Sequence, residues 1–150
     1  MTRLVKLLFL CLLCLNFSTA KANDLNLLCD GGFIPLQDLV QNPKLYKNKK
    51  VKIVGDFFSF SSLPLDYPNA FKDSKKFIGI VLSRPDQKQI PLVELKLAAK
   101  LELFKDEKKP LVIEHGDQVK INAKVYEVAL GEPWLEISSI EIVRKNAEHG

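Results

Sequence analysis

Lysines at positions 47, 49, 50 and 52 run into the stretch Gly55–Ser62, GDFFSFSS, where three phenylalanines stand among three serines. Cations beside aromatic rings are what a single-stranded nucleic acid needs, because an ammonium neutralises phosphate and a flat ring stacks on a base. Lys75, Lys76, Lys120 and Lys124 could join the basic part, and Tyr126 and Trp134 the aromatic part. The acids Asp56, Glu127, Glu132 and Glu136 are interspersed with them, so a solvated surface of mixed charge is the competing reading.

Residues suited to catalysis are few. His115 sits between Glu114 and Gly116, and His149 lies at the far end. Two distant histidines and one cysteine lack the three or four well-spaced ligands that zinc requires. There is no glycine-rich phosphate loop, nucleophile elbow or paired-carboxylate motif. The sequence calls for no metal and no cofactor, and it points to a binding protein rather than an enzyme.

Charge and cysteine usage depend on how the chain begins. Arg3 and Lys6 precede an apolar run, Leu7–Leu15, and Ala20-Lys21-Ala22 has small residues at both positions of a signal-peptidase site. The expectation is a secretory leader cut after Ala22, leaving Asn23–Gly150 periplasmic or secreted. The run is interrupted by Asn16 and is short for a membrane span, so no stable span remains after cleavage. Cys11 and Cys14 also permit a lipoprotein reading, against which Leu10 and Leu13 stand where lipid attachment wants a small residue.

The leader carries Arg3, Lys6 and Lys21 and no acid, so its loss lowers the formal charge from +4 to +1. A whole-chain pI near 8.9 is therefore weak support for a nucleic-acid partner. Cys29 becomes the lone cysteine and has no internal partner; it is either buried beside Leu27 and Leu28 or available for an intermolecular bridge.

The elements that must position these residues follow from periodicity. Pro35–Val40 has Leu36, Leu39 and Val40 at helical spacing and reads as a short helix, stopped by Asn42-Pro43. Val51 and Ile53 alternate with lysines in a first strand that bends at Gly55. With parity switching at that glycine, Phe58 and Phe60 join the core and Phe57 faces outward, free to stack. Phe77–Leu82 is a second strand, and Gln89–Val93 a third at an edge, because Pro91 lacks a ladder donor. Leu95–Phe104 reads as a helix through Leu97, Leu101, Phe104 and two alanines.

Gln118–Ala129 alternates most strictly and is the fourth strand, with Lys120, Lys124 and Tyr126 on its wet face. Trp134–Val143 is the fifth; its apolar parity changes between Ile137 and Ile140, which requires a bulge at Ser138-Ser139. Trp134 either caps the core at the start of this strand or presents a ring to a ligand. The chain divides into a leader (1–22), an arm with a short helix (23–44), a β domain (45–143) and a frayed tail (144–150). Five strands with a helix between the third and fourth is the order of the OB-fold, a Greek-key barrel.

Tyr46–Gly55, YKNKKVKIVG, resembles the Y-x-G-K-x-V-x-V-x-G opening of secreted bacterial OB-fold domains, including those grouped as similar to tRNA-anticodon-binding modules. Gly116–Val125, GDQVKINAKV, resembles their fourth strand, with Asn48 and Ala123 standing where the pattern has glycine. The resemblance implies the fold and leaves the ligand open, since OB barrels take oligonucleotides, oligosaccharides and proteins.

Three functions are compatible with the sequence. One is a noncatalytic periplasmic module for a protein or envelope component, with the loops 62–74 and 84–89 at the barrel mouth. Another is a single-stranded nucleic-acid binder using Phe57, Lys52, Lys120, Lys124, Tyr126 and Trp134. The third is a structural domain that pairs with its own copies through a sheet edge or Cys29.

Overall fold

A computed structural model describes residues 32–62, 67–106 and 109–147; the expected leader, the expected cleavage site at Ala22 and Cys29 lie outside the described residues. Two short helices, α1 (Leu36–Gln41) and α2 (Pro43–Tyr46), precede six strands. These are β1 (Lys50–Ser61), β2 (Phe77–Arg84), β3 (Gln87–Pro91), β4 (Lys96–Lys100), β5 (Gln118–Ala129) and β6 (Glu132–Arg144).

The sheet order is β1-β5-β6-β4-β2-β3, and β1 also pairs with β2. That last pairing closes β1, β2, β4, β6 and β5 into a five-stranded barrel, with β4 and β6 parallel and the other neighbours antiparallel. This is the OB-fold arrangement the sequence leads one to expect. Val51, Ile53, Leu82, Leu97, Ile121, Val125, Leu135 and Ile137 are all buried and fill the core.

Two expected elements change identity. The stretch 95–104 is no helix: Lys96–Lys100 is the third barrel strand, followed by a single 3-10 turn, Leu101–Phe104. Leu97, Ala98 and Ala99 are buried in succession, so both faces of β4 are covered. Small residues suit a strand enclosed between β2 and β6, and that packing overrides the helical preference of alanine. The expected third strand is instead β3, a short ribbon on β2 outside the barrel, with Lys88 and Pro91 blunting its free edge.

Local signals were otherwise followed closely. β5 has the predicted limits, and the register jumps from Asn122↔Ser139 to Ala123↔Ile137, which places the predicted bulge at Ser138. Asn48 takes a φ of 65°, a left-handed conformation that asparagine tolerates better than most residues. Gly55 does not switch the parity of β1. A Cβ there would lie 2.9 Å from Leu82 Cδ1 and 3.1 Å from Leu36 Cδ1, so the glycine admits α1 and β2 close to the strand. No helix among the described residues is long and apolar enough to cross a membrane.

Candidate nucleic-acid interface

The six residues expected to bind ligand separate into three environments. Phe57 pairs with Leu82 and is 3% exposed, so the expectation that it faces outward is corrected. The inward parity of Val51 and Ile53 continues through Gly55 to Phe57, and the register shifts only between Phe57 and Ser59. Phe58 occupies that bulge, half-buried and edge-on to His115, with ring centroids 5.1 Å apart. Phe60 returns to the inner side opposite Ile80 but is 41% exposed, because it sits at the open end of the barrel. The expectation that Phe58 and Phe60 are fully core is corrected with it.

Tyr126 and Trp134 are withdrawn beneath the β1–β2 loop. Trp134 is buried with Ala70 and Ala129, and Tyr67 stacks on it at 6.3 Å. Tyr126 packs against the same cluster and donates a 2.8 Å hydrogen bond to the Ala70 carbonyl, so it is not the exposed ring that its parity implied. Burial, then Glu136 and Glu127 nearby, push its phenol up to about 12. Lys72, from the same loop, pairs with Glu136 and lies 4.3 Å from the Tyr126 ring centre and 5.0 Å from that of Phe77. This cation–π contact and ion pair fix the loop to β2, β5 and β6.

Lys52, Lys120 and Lys124 do share the outer face of β1 and β5. Lys120 is taken by Glu141 at 2.6 Å, whereas Lys52 and Lys124 have no ion pair among the described residues.

A second surface lies at the open end of the barrel, beside β1, β2 and β4. Two clefts of about 340 Å³ each meet at Ser61 and Ser62. Phe60, Ser74, Phe77 and Leu101 line the first, at the barrel end; Val81, Val93 and Lys96 line the second.

Phe60 is held by edge-on contacts to Phe57 at 4.9 Å and Phe104 at 5.4 Å, which leaves a fixed ring partly open to solvent. Lys75 and Lys76 follow Ser74, and Lys100 precedes Leu101; all three are exposed and make no ion pair among the described residues. Lys96 is engaged, donating to the Val93 carbonyl at 2.6 Å and lying 3.1 Å from Glu132.

The groove thus offers hydroxyls, an anchored ring and free ammonium groups, the components of a stacking and phosphate-binding surface. Sequence reasoning named Lys75 and Lys76 but missed Phe60, Phe77 and Lys100 as site residues. Finding them requires the bulge at Phe58 and the correct assignment of β4. Among the described residues no group of three or more His, Cys, Asp or Glu side chains could hold a metal ion.

No protein-family model matches the chain, and no curated protein matches it. Solved structures do. A protein of Leishmania major Friedlin described as an aspartyl-tRNA synthetase superposes with a TM-score of 0.50 at 15% identity, over 77% of this chain and 21% of that one. An asparaginyl-tRNA synthetase from Pyrococcus horikoshii, complexed with asparaginyl-adenylate, gives 0.47 at 15% identity, over 77% of this chain and 23% of that one. This chain therefore spans between a fifth and a quarter of those lengths. At such identity the first likeness is one of fold, and it agrees with the strand order in placing the chain among OB-fold barrels.

Proposed function

We propose that this barrel is a noncatalytic module that binds single-stranded nucleic acid at the open end of the barrel, beside β1, β2 and β4. The observation that carries the reading is the groove meeting at Ser61 and Ser62, with the partly exposed Phe60 ring inside it and Lys75, Lys76 and Lys100 at its rim. OB barrels bind oligonucleotides on the face of their second and third strands, here β2 and β4. A structure that shares the fold bears the name of a tRNA synthetase, which is consistent with a nucleic-acid ligand.

In this reading a base stacks on Phe60, the serine hydroxyls meet sugar or base edges, and the lysines neutralise phosphate. Fluorescence anisotropy with labelled single-stranded oligonucleotides tests it. Binding should weaken steeply as salt rises and fall when Lys75, Lys76 and Lys100 are changed together to glutamine. Absence of binding at low salt would end the proposal.

The leader-like first 22 residues favour a second reading, a periplasmic or secreted module for a protein or envelope component. Its test is recovery of one defined partner from envelope extracts by the chain beginning at Asn23, with capture lost on the same triple glutamine substitution. Repeated extracts yielding no partner would end it.

A further inference from the structure

We propose that Lys50, Lys52 and Lys124, with Phe33 at their edge, form a second anion-binding strip that takes the backbone of the same strand beyond the groove; this rests on the nucleic-acid reading above. Lys50 and Lys124 are Cα partners on β1 and β5, and Lys52 is opposite Asn122. Their neighbours Val51, Ile53, Ala123 and Val125 point into the core, so the three ammonium groups project from one outer face.

Like charges directly opposite on antiparallel strands repel and destabilise the pair. Five lysines elsewhere are matched to acids: Lys47 to Glu127, Lys72 to Glu136, Lys88 to Asp56, Lys96 to Glu132 and Lys120 to Glu141. The strip has no such match among the described residues. Glu136 is the β6 neighbour of Lys124, but its carboxylate is paired with Lys72. Asn122 is occupied by Ser139 at 2.7 Å and adds no charge.

A hydrophobic ring borders this uncompensated charge. Phe33 forms a parallel bridge with Lys52, fixed by the Ile34 N–H donating to the Lys52 carbonyl at 2.8 Å. Ile34 is buried, whereas Phe33 is 49% exposed. Lys50 and Lys52 lie about 7 Å apart along the strand, and Lys124 about 5 Å across from Lys50. Such regular cation spacing suits a polymer with repeating phosphates, and an open ring beside it suits a base. β1 joins the two surfaces, with about 30 Å of strand between Lys52 and Ser61. A short oligonucleotide therefore fills the groove alone, and a longer one reaches the strip.

The test compares labelled single strands of about 5 and about 16 nucleotides, the range of OB-fold site sizes. The variant Lys50→Gln/Lys52→Gln/Lys124→Gln should bind the short strand like the parent. It should lose about tenfold or more in affinity for the long strand at low salt, with the salt slope smaller by about 2. Phe33→Ala should weaken long-strand binding alone.

Removing the repulsion should also leave the triple variant as thermally stable as the parent or more so, which separates lost binding from lost folding. Equal binding of both strands by parent and variant would overturn the strip while leaving the groove standing. If the parent bound neither strand, the groove reading and the strip would fall together.

Discussion

Asp117, wholly shielded from solvent, accepts a 2.9 Å hydrogen bond from Lys145 Nζ, tying the start of β5 to the residue that follows β6. Its other contacts are the backbone N–H groups of Asn146 at 2.8 Å and Glu114 at 2.9 Å. The tail expected to fray over 144–150 is therefore anchored at Lys145 and Asn146. Gly116 helps: its φ is 85°, and a side chain there would collide with Asn146.

Acid should loosen this junction. Burial alone would push the Asp117 carboxyl up, but the Lys145 hydrogen bond, the Asn146 and Glu114 N–H donors and the Lys145 charge together hold it below its usual value. A depressed carboxylate contributes stability above its unfolded value, near 3.8, and loses it as pH falls through the lower folded value. Lys145 is raised, chiefly by its hydrogen bond to Asp117, so its share is lost only as pH climbs through that higher value. Asp117→Asn should lower stability by about 1–3 kcal/mol near neutrality and flatten the acid limb of a denaturation-against-pH curve.

The β5–β6 hairpin turns through two residues with positive φ, Leu130 at 55° and Gly131 at 77°. Such paired left-handed residues match the twist of the strands they join. Leu130 is 76% exposed, so its side chain contributes little burial to offset the backbone cost. Leu130→Gly should raise stability by about 1 kcal/mol, and Gly131→Ala should lower it by a similar amount. A Cβ at 131 meets nothing within 4 Å, so the second effect is purely conformational. Thermal melts of the two variants, shifted in opposite directions, check both.

Much of the barrel was legible because alternation is local. β5 could be delimited from Val119, Ile121, Ala123 and Val125, and the Ser138 bulge from the parity break between Ile137 and Ile140. β4 was not, since Ala98 and Ala99 carry a helical signal on their own and become strand only between two partners that the sequence does not specify. The site was less legible still. The fate of Phe57 depends on unbroken parity through Gly55, that of Phe60 on one bulged residue, Phe58, and that of Tyr126 on a loop more than fifty positions earlier. Asp117 stands next to β5, whereas its partner Lys145 is distant in sequence.

Tyr126 should ionise late, above the ordinary tyrosine range. Its phenolate would form in a half-buried site, beside Glu136 and Glu127, and would surrender the bond to Ala70, so ionisation waits until about 12. A raised value in the folded state means the contribution is intact below the ordinary tyrosine range and lost as pH rises through about 12. Phenolate absorbance followed against pH should show this late step, and Tyr126→Phe should abolish it. A Tyr126→Phe titration that overlays the parent's at high pH would contradict the packing of the loop.

Phe57 and Phe60 should answer substitution in opposite ways, although they touch edge to face at 4.9 Å. Phe57 is core, so Phe57→Ala should cost about 3–5 kcal/mol of stability through lost burial and the cavity left behind. Any apparent loss of oligonucleotide binding should then follow the fraction unfolded and disappear where the variant is folded. Phe60 is partly open and lines the groove, so Phe60→Leu keeps an apolar plug against Phe104 while removing the flat face. Its melting temperature should move little, whereas affinity for a short single strand should fall about 5- to 100-fold, the loss of one stacking contact. Melts and anisotropy titrations on both variants separate the roles: an unchanged affinity for folded Phe60→Leu would remove the ring from the binding surface and leave it a plug.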